Sequence, residues 1–398
     1  MNKLLSLIKL ILCLFIINFL NACSMNLLNL HTGNDKSREV FKLAWRVDKL
    51  HSIKNEVQKF KPAIDNNIVY ACDAEGKILK LDISDGTIIK TINLNKPLSS
   101  CIAVSENNLL ATTDDAKLLY IDKISNNIIR EVALPTLSLE PPKTISNMAL
   151  VKTNDSWLFN YIFNHDTMNA NLLWAYEHKQ SILSLRLYDT FTIIEPDLVL
   201  TTVPNGGLSL LNLLTGSVIW NITVALPQGA NDIDKLTDVV VAPVVANRET
   251  CLLSYNNKLS CFDLLNGNLL WDKQIVSNTN ILLDDKSVYV LTTDGKIDAF
   301  DSSTGVFLWE NKDFMNPKAI TLLSLLSDKL VLIDENSYIH LLNISTGRKM
   351  ATIPSSIAQP LSVLNINNQS IIIQDKNAII SKYTIYHFLN INRIFRVN

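Results

Sequence analysis

Glycine is scarce in this chain: 11 residues in 398, about 3% against the roughly 7% usual in proteins. The chain contains neither GxxxxGK[ST] nor GxGxxG, so the two common glycine-rich phosphate cradles are excluded. A basic excess is also lacking. Lys and Arg number 36 against 38 Asp and Glu, a formal charge of −2, which argues against nucleic acid as the main partner because phosphates would go unneutralised. The six histidines show no HxH or HExxH spacing, no serine sits in a Gly-x-Ser-x-Gly elbow, and no two cysteines are adjacent. Paired acids such as Asp114-Asp115 and Asp284-Asp285 lack the ligand spacing of an EF-hand and read as solvated turns. No group of residues meets the first tests for an active site, so neither a catalytic residue nor a cofactor nor a metal is expected.

What is present is apolar and asparagine-rich. Hydrophobic residues make up 47% of the chain, enough for a large packed core. Asparagine often stands where a turn would take glycine. It is the next residue to tolerate a left-handed backbone.

The first residues read as an address. Lys3 and Lys9 precede the apolar run Leu10–Ile17, which is too short to span a bilayer but suits a signal-peptide core. Leu20-Asn21-Ala22-Cys23 resembles a bacterial lipobox, with Asn21 as its one departure. The resemblance implies a signal peptide over 1–22, acylation of Cys23, and a tether over 23–40. Ser24 after the cysteine implies transfer to the outer membrane, facing the periplasm. Buried acyl methylenes contribute about 0.8 kcal/mol each, so lipid can anchor the chain without a spanning helix. Four further cysteines, Cys72, Cys101, Cys251 and Cys261, would then sit where disulfides are permitted. A two-residue turn at Asn256-Asn257 puts Cys251 opposite residue 262, with the two sulfurs on opposite faces, so no bridge is expected between Cys251 and Cys261.

Internal repetition sets the fold. Residues 69–94, 198–224, 251–275 and 288–313 share one plan, and 109–134 and 330–354 follow it more loosely. An apolar run leads into a turn such as Asp294-Gly295, read as a two-residue hairpin. An alternating run follows, then a second turn such as Thr304-Gly305, then a last run ending near a tryptophan. Period-two alternation places one side of each strand in a core. A run such as Val239–Val245 supplies an innermost strand, making four antiparallel strands per unit. The recurring position is Trp45, Lys90, Arg130, Trp174, Trp220, Trp271, Trp309 and Ala351, spaced at about 44 residues. Trp45 has no unit before it, and three apolar runs follow Ala351. The reading is therefore all-β: an eight-bladed β-propeller over 41–398, closed by an N-terminal strand that joins the C-terminal blade. Five of six tryptophans at one repeat position indicate blade-to-blade packing. The stretch 135–180, with no clear turn glycine, is the least regular unit.

The repeat, an Asp/Asn/Thr-Gly turn followed by an aliphatic run and Trp, resembles the PQQ-like propeller repeat. With the lipobox and two loops, the chain resembles the BamB family of outer-membrane lipoproteins. Ser181–Arg186 (SILSLR) is similar to that family's LSLR loop, and Asp232–Val239 (DIDKLTDV) to its IDRLSDVD-type loop. The resemblance implies a non-catalytic scaffold of the β-barrel assembly (BAM) complex that binds the periplasmic domains of BamA through Leu183, Leu185, Arg186 and Asp238. Val240 stands where the family's second acid would be. Other BAM subunits are implied partners, and unfolded outer-membrane proteins could add strands to the outer blade edges.

Taken by themselves, Leu183 and Leu185 alternate about Ser184, and a strand would point both one way. Beside the forked guanidinium of Arg186 they form an interface anchor; equally, they could be blade core, with Arg186 paired internally to an acid. The alternative functions are a membrane-anchored propeller that binds peptide or carbohydrate, and a PQQ-dependent dehydrogenase.

Overall fold

A computed structural model describes residues 37–51, 60–177, 190–194, 196–204, 206–224, 239, 242–254, 257–277, 281–315 and 320–389. They form eight four-stranded antiparallel sheets. Blade 1 runs outward from Ala63–Asp65 through Ile68–Cys72 and Lys77–Asp82 to Ile88–Asn93. Blades 2 to 7 repeat this order. Their innermost strands are Ala103–Val104, Lys143–Ile145, Phe191–Ile194, Val244–Ala246, Ile281–Leu283 and Ile320–Leu326. Their outermost strands are Ile128–Ala133, Asn169–Tyr176, Val218–Thr223, Leu269–Gln274, Phe307–Asn311 and Lys349–Pro354. Blade 8 takes three strands from the C-terminal end, Pro360–Asn367, Ser370–Asp375 and Ile380–Leu389, and its outermost from the N-terminal end, Ser37–Val47. That strand begins inside the stretch read as a tether. The irregular stretch 135–180 does build a blade, with Ser156 and Met168 in the left-handed region at its turns.

Alternation works differently from the one-sided pattern expected of the sequence. The two middle strands of each blade are buried on both faces, because each blade is sandwiched between two others. In blade 5, Cys251 and Leu253 join the cluster shared with Val288 and Val290 of blade 6, while Leu252 joins Leu200 and Leu210 of blade 4. Alternate residues thus feed two different cores.

The turns between second and third strands are one residue longer than predicted. Ser254 pairs with Lys258 and Leu291 with Ile297, and the amides of Asn257 and Gly295 close onto the carbonyls of Ser254 and Thr292. This is a tight turn followed by one left-handed residue, the three-residue hairpin loop. Sequence alone does not separate it from the two-residue form, since both want Asn or Gly at positive φ. The extra residue shifts the register by one. Cys251 therefore lies directly opposite Cys261, Cα to Cα 4.1 Å, and the two are bonded. The expectation of no bridge is overturned for that reason. A second disulfide, Cys72–Cys101, ties blade 1 to the segment leading into blade 2. Asparagine is not the general replacement for glycine either. Ala116, Ser156, Ser337 and Ala378 hold the same left-handed position as Asn257.

The tryptophans form a lock across blade boundaries. Trp45, Trp174, Trp220, Trp271 and Trp309 each donate Nε1–H to a backbone carbonyl of the next blade, at Ile83, Leu213, Leu264, Ser302 and Ile344, over 2.6–3.1 Å. Each acceptor sits in the turn before the outermost strand, and that turn carries Gly86, Gly216, Gly267, Gly305 or Gly347. All five glycines have positive φ, and a Cβ on any of them would come within 3.0 Å of the facing indole. The two equivalent turns with no tryptophan opposite carry Asn126 and Met168 instead. Where blade 1 has Lys90 at the tryptophan position, Lys80 Nζ takes the Lys123 carbonyl at 2.8 Å. Glycine is thus spent where an indole must lie flat on the backbone.

The same turns open with Asp or Asn, whose side-chain oxygen accepts backbone N–H groups: Asp82 from Ser84, Asp122 from Ser125, Asp301 from Thr304. Hydroxyl donors add to this, from Ser84 to Asp82, Ser125 to Asp122, and Thr304 and Ser303 to Asp301. Together these bonds hold the three carboxylates below their usual range. A depressed folded pKa gives stability that is present above the unfolded value, about 4, and lost as pH falls through the folded value. Thermal melts should therefore lose midpoint below about pH 4, and Asp301→Asn, which keeps the acceptor as Asn212 and Asn343 do at equivalent positions, should lose less there. An identical acid limb in that variant would show that Asp301 does not contribute.

Candidate partner-binding face

Strand direction alternates within each blade, so the turns between second and third strands and the connections from one blade to the next emerge on one face. The other face carries the remaining hairpin turns. Both stretches singled out in the sequence lie, along the chain, between the last strand of one blade and the first of the next, and the described ends of those connections emerge on the first face. One leaves Asn169–Tyr176 and enters Phe191–Ile194; the other leaves Val218–Thr223 and enters Val244–Ala246. They flank blade 4 on either side. Leu183, Leu185, Arg186 and Asp238 themselves, and Cys23, lie outside the described residues.

The described flanks are firmly held. Tyr176 Oη lies 3.1 Å from Ser209 Oγ. Thr190 N donates to Thr202 Oγ1 at 2.9 Å, and Thr202 N donates back to the Thr190 carbonyl at 3.0 Å. Phe191 is buried, with Lys143 Nζ 4.7 Å over its ring and donating to its carbonyl. On the far side of blade 4, Val224 N donates to the Gly206 carbonyl at 2.8 Å. Val239, expected to open the innermost strand of blade 5, instead makes an isolated bridge to Ser254 and is buried; the strand proper is confined to Val244–Ala246.

Sequence reasoning missed Lys152. Only 3% exposed, it donates from Nζ to Thr201 Oγ1 at 2.8 Å and to the Thr202 carbonyl. It thereby joins blade 3 to blade 4 at the residues that hold Thr190. A lysine ending the apolar run Met148–Lys152 was the available signal. The exposed aliphatic side chains of the propeller's outer rim were also unread. Ile88, Ile89, Val218, Ile219, Leu269 and Leu270 are exposed on outermost strands. Among the described residues, no three His, Cys, Asp or Glu side chains converge as metal ligands.

Ring, repeat and lock define a PQQ-like eight-bladed propeller. The fold is shared with a crystal structure of BamB from Moraxella catarrhalis, at TM-score 0.74 and 20% identity over 87% of this chain and 100% of that one. It is also shared with a quinohemoprotein alcohol dehydrogenase of Pseudomonas putida, at TM-score 0.61 and 11% identity over 86% and 76%. The family model for outer membrane protein assembly factor BamB matches residues 76–311, and the chain belongs to that family. Its relatives include the assembly factor BamB of Nitrosomonas eutropha, 29% identical over 78% of this chain and 74% of that one, and that of Escherichia coli, 24% identical over 77% and 80%. These relatives are named as assembly factors, whereas the wider fold also houses dehydrogenases.

Proposed function

We propose that the chain is a non-catalytic scaffold lipoprotein of the outer-membrane β-barrel assembly machinery. It is anchored through Cys23 on the periplasmic face of the outer membrane and docks on the periplasmic domains of BamA. The observation that supports this reading is that the described, pinned ends of the two connections emerge on one face, either side of blade 4. Leu183 and Leu185 supply apolar contact there, Arg186 supplies forked hydrogen bonds, and Asp238 an opposite charge on the neighbouring connection. The exposed aliphatic residues and free edges of the outermost strands support a second contact, with unfolded barrel strands that pair by backbone.

The test is binding of the purified protein to the periplasmic domains of BamA, with Arg186→Glu alongside and circular dichroism on both. The expected result is saturable binding by the wild type and at least about tenfold weaker binding by the folded variant. A folded wild type that does not bind would remove the proposal, and a ligand-binding propeller would take its place.

A further inference from the structure

The boundary between blades 2 and 3 lacks the tryptophan–glycine lock. Arg130 stands exposed at the tryptophan position, and Met168 occupies the glycine position of the facing turn. A pocket of about 60 Å³ opens at this boundary, between Ser105–Asn108 of blade 2 and Ser146–Met148 of blade 3, with Tyr120 and Phe163 in its lining and His165 at its rim. It lies on the face opposite the connections that carry the proposed BamA contact. Asn107 Nδ2 and His165 Nε2, 3.5 Å apart, link the two blades at its edge.

Two of the residues lining the pocket carry a buried polar atom with no hydrogen-bond partner: Asn108 Oδ1, in a residue 2% exposed, and Tyr120 Oη, in a residue 1% exposed. Elsewhere in the ring a buried phenol is satisfied, as where Tyr289 Oη donates to Asp284 Oδ2 at 2.9 Å. Buried polar groups are rarely left unmade, and a pair of them lining one pocket marks a place for a ligand.

The lining selects its chemistry. Asn108 Oδ1 can only accept, and a neutral phenol oxygen accepts while its O–H can also donate. Glu106 is the one charged residue of the lining. Lys123, on the adjacent turn, has its donors taken up by the Ser105 and Glu106 carbonyls and by Asp65. The wall therefore offers acceptors and one negative charge over an aromatic and aliphatic floor.

We propose that this pocket binds a primary ammonium on an aliphatic stem, either a lysine side chain of a partner protein or a free alkylamine. The three N–H donors serve Asn108 Oδ1, Tyr120 Oη and the acidic rim, and the methylenes lie on Leu110, Met148 and Phe163. The site is independent of the BamA reading and survives its failure.

The test titrates the purified protein with n-butylammonium, n-butanol and n-butyrate, followed by NMR shifts. A lysine tripeptide and its norleucine twin form a second arm. Tyr120→Phe is the variant. The expected result is saturable binding of butylammonium alone among the three small probes, weakened about tenfold in Tyr120→Phe, with the melting midpoint of the variant unchanged or raised because no internal bond is lost. Lysine-peptide binding beside butylammonium assigns the source to a partner's lysine; butylammonium alone assigns it to a free amine. No saturation by butylammonium, equal affinity for all three probes, unchanged affinity in Tyr120→Phe, or a lowered midpoint in that variant would each overturn the proposal.

Discussion

Replacing Trp271 by alanine is expected to cost about 4 kcal/mol of folding stability, near the upper range for an aromatic cut to a methyl. The indole is 9% exposed, sits in the core shared by blades 5 and 6, and donates to the Ser302 carbonyl at 2.6 Å. Its removal opens a cavity and leaves that carbonyl without its donor. Gly305→Ala attacks the same contact from the other side. Its φ of +70° costs an alanine about 1 kcal/mol, and the new Cβ would stand 2.6 Å from Trp271 Cδ2. About 3 kcal/mol is expected in the wild type, but only about 1 kcal/mol in the Trp271→Ala background, where no ring remains to be struck. Urea midpoints of the four proteins give the coupling directly. Additive losses would mean that ring and turn are not in contact.

Deleting residues 1–47 is expected to do more damage than any single substitution, at least twice the Trp271→Ala effect. Ser37–Val47 pairs along Ile380–Leu389, places Phe41 against Tyr383 at 5.8 Å between centroids, and sends Trp45 into the turn of blade 1. Arg46 Nη1 also reaches the Ser356 carbonyl at 3.1 Å. Without this strand, blade 8 has three strands, and Ile380–Leu389 becomes an open edge that invites association. The expected readouts are a broadened unfolding transition and higher-order species on size exclusion, both reversed by adding a 37–47 peptide and reversed less well by its Trp45→Ala form. A truncated chain that stays monomeric with an unchanged midpoint would refute the closure argument.

The blade count was legible because one bulky residue recurs at one position, and Trp45, stranded ahead of the first full unit, announced the closure. The purpose of that residue was not legible. Its acceptor carbonyl and facing glycine sit in the next unit, some 30 to 50 residues on, and only the stacking of blades brings them together. Turn length failed at Asn256-Asn257 because left-handed asparagine suits two loop lengths, and a single residue of slip exchanged the faces of Cys251 and Cys261. The pocket at Asn108 and Tyr120 had a faint signal, a boundary with neither tryptophan nor glycine. Its unpaired atoms could not be read from residue types. The stretches holding Leu183, Leu185, Arg186 and Asp238 were singled out through family likeness, since alternating leucines beside an arginine occur as readily in a core strand.

The closure also imposes a timetable on a chain that is delivered N-terminus first. Cys251 and Cys261 are 10 residues apart and Cys72 and Cys101 are 29, so each bridge can form as soon as its own stretch has emerged. The strand Ser37–Val47 must wait for Ile380–Leu389, nearly the whole length of the chain later. Throughout that interval the growing product is an arc with two raw ends, and its oldest strand is the last to find its partner.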